Sequence, residues 1–194
     1  EVASEMFCET TIACEDESYR SLLNTLFETV YFRCKIIKNV TGVEACGALK
    51  NVIGIGAGIV DGLGFGDNTK AAVIRLGLME MIKFTKIFLG SEDKSVFFES
   101  CGIADLIATC HGGRNRLLGE AVVKSLKDIR LLEKEILRGQ SFQGPLIARE
   151  IHHYLKSMEM VDQFPLFVAV HRICVREMDP RNFLDCLREH PEHM

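Results

Sequence analysis

The pattern of apolar and polar positions changes character near residue 40. Before that point it is strand-like in two short stretches. Residues 7–13, with Thr10, Thr11 and Ile12, and residues 32–38 both favour extended backbone. Between them, residues 17–28 place Leu22, Leu23, Leu26 and Phe27 at helical spacing. The pattern predicts a strand–helix–strand unit over 1–40. Two strands make a poor sheet alone, so the unit reads as the tail of an α/β sheet whose other strands are missing.

Beyond residue 40 the pattern is helical. Residues 43–60 are small and apolar. Residues 71–89 form a long apolar-periodic stretch in which Arg75, Glu80, Lys83 and Lys86, with Lys70 just before it, supply the few polar positions. So dense a pattern predicts a helix buried on most of its surface. Further helices are expected at 99–109, with Ser100 as N-cap, and at 115–126, 128–138, 145–157, 165–177 and 180–188. Pro145, Pro165 and Pro180 fit first-turn positions, and Gly139 fits a helix C-cap. The expected fold class is mainly α: a multi-helix all-α domain over 41–194, preceded by the short strand–helix–strand remnant.

Composition narrows the partners. The 194 residues carry 23 Lys and Arg against 27 Asp and Glu, a net charge of −4. That balance argues against a nucleic-acid binder gripping through bulk positive charge. No run approaches 18 apolar residues without a charge or a break, so no membrane-spanning helix is expected. Residue 1 is Glu and no signal-peptide pattern follows, which reads as a cut or processed start. The length suits one domain, or one plus part of another. Eight cysteines without a Cys-x-x-Cys pair read as free, partly buried thiols of a reducing, cytosolic compartment. Cys186, His190 and His193 lie close together, but structural zinc takes four ligands and no second pair is near. No metal is expected.

Gly54, Gly56, Gly58, Gly62, Gly64 and Gly66 crowd one segment. A dinucleotide fingerprint needs G-x-G-x-x-G, and the third glycine position is Ile59. No G-x-x-x-x-G-K-[ST] loop occurs either. Close backbone packing against a neighbouring element is the plainer reading.

Three places carry candidate chemistry. Lys50 and Asn51 interrupt a run of small and apolar residues. A lysine drawn into apolar surroundings holds its proton less tightly and can act as an acid–base group; the alternative is a solvated surface lysine. Asp105 and Thr109 are four apart, on one face of a helix. A buried acid there wants a cation, and Lys50 is the natural candidate, whether for chemistry or as a plain ion pair. Gly112-Gly-Arg-Asn-Arg then opens a helix, whose N-terminus attracts anions. Arg114 adds a planar fork suited to phosphate. A simple turn into a basic helix is the alternative.

Taken together, the chain resembles the cytosolic NAD-dependent glycerol-3-phosphate dehydrogenases of the animal type. The motifs are Cys46-Gly-Ala-Leu-Lys-Asn-Val, Asp61-Gly-Leu-Gly-Phe-Gly-Asp-Asn-Thr-Lys-Ala-Ala, Glu99-Ser-Cys-Gly-Ile-Ala-Asp-Leu-Ile, Gly112-Gly-Arg-Asn-Arg, Gln143-Gly-Pro and His190-Pro-Glu-His-Met. The resemblance runs the length of the chain. It implies an all-α substrate domain like the 6-phosphogluconate dehydrogenase C-terminal fold, packed on a Rossmann domain, in a homodimer. It implies reduction of dihydroxyacetone phosphate with NADH, reversed with glycerol 3-phosphate and NAD. Lys50 falls on the proton-exchanging lysine, and Asp105 and Thr109 on residues that orient it and the substrate hydroxyls. Asn51 falls on a substrate-side neighbour, Arg114 and Asn115 on phosphate and cofactor contacts, and Gln143 on a loop residue reaching the cofactor.

Two departures stand out. Ser141 occupies a loop position where the family usually has lysine. The glycine-rich fingerprint and a further substrate lysine should precede Glu1. The fragment alone is therefore expected to lack turnover, since hydride transfer needs NADH held against the substrate. A non-catalytic phosphate-binding or interaction module that kept the fold is the alternative. The related 6-phosphogluconate-type dehydrogenases are a weaker match.

Overall fold

The computed structural model describes residues 1–125, 127–137 and 142–193. Gly139 and Ser141 lie outside the described residues. The chain begins with β1 (Cys8–Ala13), α1 (Arg20–Phe27) and β2 (Phe32–Ile37). The strands pair in parallel, Cys8 opposite Phe32 and Ala13 opposite Ile37. A parallel pair needs a crossover, and α1 supplies it. The sheet buries Thr11 but leaves Met6, Phe7, Leu22, Leu26, Phe27 and Val30 exposed, Val30 at 87%.

α2 (Val40–Gly62) starts earlier than the apolar run suggests. Asn39 explains this: its Oδ1 accepts the Gly42 N–H at 2.8 Å and caps the helix. Residues 51–60 are buried without a break. By length and composition alone α2 could cross a membrane, but 72% of its apolar window is buried within the protein, as in a core helix.

α3 (Asp67–Leu89) differs from expectation. It is buried along one face, through Val73, Leu76, Glu80, Met81, Phe84 and Thr85, while Arg75 and Lys86 are exposed. The neighbours cover one side, so the apolar residues elsewhere stay half in water. The 99–109 helix also differs. Residues Ser100–Ala104 form one wide π turn before α4 (Asp105–Gly112) begins. Ser100 is therefore inside the turn and caps nothing. Gly102 presses on the preceding segment: a Cβ there would meet the Phe97 carbonyl oxygen at 2.4 Å.

The remaining helices are α5 (Arg114–Ser125), α6 (Ile129–Leu137), α7 (Gln143–Ser157), α8 (Pro165–Cys174) and α9 (Asp185–Arg188). Pro165 opens α8 as expected. Pro145 is the third residue of α7, still where a backbone N–H lacks an intrahelical partner. α8 stops at Cys174 rather than at 177. Arg176 turns left-handed at φ 64°, and the Glu177 N–H closes on the Arg172 carbonyl at 2.8 Å. Pro180 opens only a short turn, capped by Asp179, which accepts the Arg181 N–H at 2.9 Å.

Two compact units result. The first comprises Glu1–Gly47 and Ile82–Asp105, the second Ala48–Met81 and Leu106–Met194. The second holds a core of Ile53, Ile55, Ile59, Leu118, Leu155, Phe164, Phe167 and Phe183, all nearly or fully buried. Within it α2 and α5 cross in backbone contact. A Cβ on Gly58 would lie 1.9 Å from the Arg116 carbonyl oxygen, and one on Gly119 would lie 2.1 Å from that of Ile55. Gly54 and Gly62 share the face, against Thr109 and Val123. These glycines of the crowded segment are thus a helix contact.

Candidate active site

The α2–α5 crossing decides where the functional side chains go. Lys50 and Asn51 precede Gly54 and Gly58 by about one and two turns of α2, and Arg114 and Asn115 start α5. The end of α2 is tied to α5 and α3 by charge. Asp61 accepts from Arg116 Nε at 2.6 Å and from Lys70 Nζ at 2.8 Å, and Arg116 also reaches Glu120 at 2.8 Å. Burial pushes the Asp61 carboxyl up, but the two cations outweigh it and hold the group below its usual range.

A cavity of about 510 Å³ opens beside this crossing. That lies within the common range for small-ligand sites. It is lined by Lys50, Asn51, Thr109, Gly113, Arg114, Asn115, Phe142 and Gln143. Six of the seven residues expected from the sequence thus meet at one place. The seventh, Asp105, opens α4, half-buried, one turn before Thr109, and belongs to the first unit. Gly113 belongs to the Gly112-Gly-Arg-Asn-Arg opening already read from the sequence, whereas Phe142 was not anticipated. Both flank helix starts, which was the available signal.

The floor of the cavity is a buried amide relay. Asn115 Nδ2 donates to Asn51 Oδ1 at 2.8 Å, and the Gly144 N–H donates to Asn115 Oδ1 at 3.1 Å. Asn51 Nδ2 donates in turn to the Ala48 carbonyl at 3.2 Å. Both asparagines are 8% exposed. Buried amides need such partners, and the relay fixes which way each amide faces. Gly144 has no room for a side chain, since a Cβ would come 2.7 Å from Asn115 Oδ1.

The electrostatics favour an anion. Two helices, α5 and α7, begin at the cavity, and their first N–H groups carry partial positive charge. Lys50 and the exposed Arg114 add full charges, and no carboxylate is among the described residues of the lining. Such a site suits a phosphate, with an amine beside it able to exchange a proton.

A second buried group went unread in the sequence. Glu80 on α3 is 1% exposed. It accepts the Leu166 and Phe167 N–H groups at 2.8 and 2.9 Å, capping α8, and pairs with His190 Nε2 at 3.1 Å. Burial pushes its pKa up against these three partners. His190 thus serves a buried pair, and the C-terminal segment is anchored to α3.

The fold holds a helical domain with a cavity lined by Lys50, Arg114 and two asparagines. The family model described as "NAD-dependent glycerol-3-phosphate dehydrogenase C-terminus" matches residues 39–185. The chain belongs to this family. It is 55% identical over 194 residues to the cytoplasmic glycerol-3-phosphate dehydrogenase [NAD(+)] of Drosophila kanekoi, covering all of this chain and 54% of that one. It is 56% identical over 195 residues to that of Rattus norvegicus, covering 56% of it. Its structure is similar to glycerol-3-phosphate dehydrogenase of Plasmodium falciparum, with TM-score 0.90 and 37% identity, over 95% of this chain and 52% of that one. The chain spans about half the length of the curated relatives it matches.

Proposed function

We propose that this chain is the substrate-binding and catalytic portion of a cytoplasmic NAD-dependent glycerol-3-phosphate dehydrogenase, interconverting dihydroxyacetone phosphate and glycerol 3-phosphate. What carries the reading is the convergence of Lys50, Asn51, Thr109, Arg114, Asn115 and Gln143 on one cavity. The relatives' names and the matched family support it.

In this reading Arg114 and the α5 N-terminus hold the substrate phosphate. Asn51 and Asn115, locked by their relay, orient the substrate oxygens. Lys50 gives a proton to the carbonyl oxygen as the carbon is reduced, and takes it back in the reverse direction. Thr109 and Asp105 orient Lys50 and the substrate hydroxyls. NAD, when bound, accepts or supplies the hydride. Arg114 and Gln143 would face it, and their exposure on the cavity fits that role. Residues 1–40 would be the end of the NAD-binding domain and 41–194 the substrate domain. The exposed apolar residues Leu22, Leu26 and Phe27 of α1, with Phe7 and Val30 nearby, support this division. A homodimer follows from the same family reading.

Calorimetry of the full-length protein with glycerol 3-phosphate, with and without NAD, tests the proposal. Binding strengthened by NAD and weakened about tenfold or more in Arg114→Ala is expected. Binding indifferent to NAD, with no NADH oxidation, would favour a module that kept phosphate recognition without chemistry.

A further inference from the structure

The start of α7 lacks the caps that a helix start normally takes from its own residues. Phe142 is the N-cap residue and makes no side-chain cap hydrogen bond. A capping box uses two local oxygens. The N-cap side chain takes the N–H of the second or third helical residue, and a Glu or Gln at the third takes the N-cap N–H. Phenylalanine has no such oxygen to offer, and the third residue of α7 is Pro145. Both oxygens come from other helices instead. Asn115 Oδ1 of α5 accepts the Gly144 N–H at 3.1 Å, and Glu133 Oε1 of α6 accepts the Phe142 N–H at 3.1 Å.

Glu133 stands where the pattern of α6 calls for an apolar residue. Ile129, Leu132, Glu133 and Ile136 share the inward face at helical spacing, while the apolar Leu131 is exposed. An acid drawn inward needs a donor, and the Phe142 N–H is one. We propose that Glu133 is a positioning residue: with Asn115 it clamps the backbone on either side of Gln143 and so presets that side chain at the cavity. The proposal rests on the dehydrogenase reading, in which Gln143 faces the cofactor.

The clamp has two unlike jaws. Gly144 is seated against α2 as well as α5, since a Cβ there would lie 2.9 Å from the Asn51 carbonyl oxygen. Phe142 has a buried ring on the cavity wall, and its N–H is tied to a carboxylate. A hydrogen bond to an ionised acceptor is stronger than a neutral one, and negative charge suits the start of a helix. Gln143 lies between the two, exposed and on the cavity.

A side chain held in its binding orientation loses less freedom when its ligand arrives. Glu133 is not among the described residues of the cavity lining, so it acts through the Phe142 backbone. Without it, Asn115 still holds Gly144 and the amide relay stands, but Phe142 and Gln143 loosen. The expected loss is therefore in cofactor affinity rather than in proton transfer at Lys50 or phosphate binding at Arg114.

The test compares full-length protein with Glu133→Leu, which suits the apolar face of α6, and Glu133→Gln, which keeps an acceptor oxygen. Residue-resolved amide hydrogen exchange reads the clamp without any turnover. In Glu133→Leu the Phe142 amide should exchange about tenfold faster, with the Gly144 amide unchanged. Steady-state kinetics should show KM for NADH up about fivefold, with kcat and KM for dihydroxyacetone phosphate within about twofold. Glu133→Gln should restore most of both. An unmoved Phe142 amide in Glu133→Leu, or one as fast in Glu133→Gln, would overturn the clamp. A loosened Phe142 with KM for NADH unchanged would overturn its link to Gln143. If the unmutated protein does not oxidise NADH, the dehydrogenase reading falls, and the exchange rates still decide the clamp.

Discussion

The α2–α5 crossing and the strand–helix–strand unit are both rich in apolar residues, yet they meet solvent in opposite ways. At the crossing residues 51–60 are buried without a gap, and glycines bring two backbones into contact. In the N-terminal unit Leu26 is 64% exposed, Phe7 70% and Val30 87%. The difference teaches that apolar content alone does not mark a core. What makes one is a shape that lets a neighbour approach. The crossing carries that shape within the chain, whereas the apolar residues of α1 and its flanks stay exposed.

Three changes would sharpen that contrast. The largest effect is expected at Gly58. A methyl group there meets the Arg116 carbonyl oxygen, so Gly58→Ala must push α2 and α5 apart. A loss of at least roughly 1–3 kcal/mol is expected, read from urea denaturation of the full-length protein. Gly47→Ala is the control, since nothing beyond its own stretch of helix lies within 4 Å of a Cβ there. It should stabilise by about 0.5–1 kcal/mol, as alanine suits a helix interior better than glycine.

The second change probes the buried side of the comparison through pH. His171 on α8 stacks on His152 of α7, with ring centroids 4.3 Å apart. Burial, with His152 adding, pushes its pKa down to about 4. Folded protein then binds fewer protons than unfolded protein below the ordinary histidine value of ~6.5. This contribution to stability is full above that value and lost as pH falls toward 4. His171→Phe keeps a ring against His152 and should flatten this part of the stability–pH profile, measured by denaturant midpoints between pH 7 and 4.

The smallest effect is expected at Leu26→Ser in the 194-residue chain, less than about 0.5 kcal/mol for an exposed position. In full-length protein the same change should cost about 1–2 kcal/mol if that face is covered. Equal losses in both would remove the contrast between the two regions.

Much of this was legible in the residues, for identifiable reasons. Lys50, Asn51, Arg114 and Asn115 stood out because polar side chains broke apolar runs or followed paired glycines. The strand–helix–strand order followed from β-branched stretches flanking Leu22, Leu23, Leu26 and Phe27. The π turn was not legible, because it depends on Gly102 seating against Phe97, a contact that spacing does not encode. The Asn51–Asn115–Gly144 relay was hidden for the same reason: it joins α2, α5 and α7, elements far apart in sequence. Glu80 read only as one of the few polar positions of an apolar helix, and the packing of α8 and His190 around it shows why it is buried.

The central claim is that Lys50 exchanges the proton at the cavity formed by α2, α5 and α7. The most direct measurement is the rate of NADH oxidation with dihydroxyacetone phosphate, on full-length protein and its Lys50→Ala variant. A fall in kcat on the order of 10²–10⁴ is predicted, with the variant still binding glycerol 3-phosphate through Arg114. A variant that turns over at the unmutated rate would contradict the account.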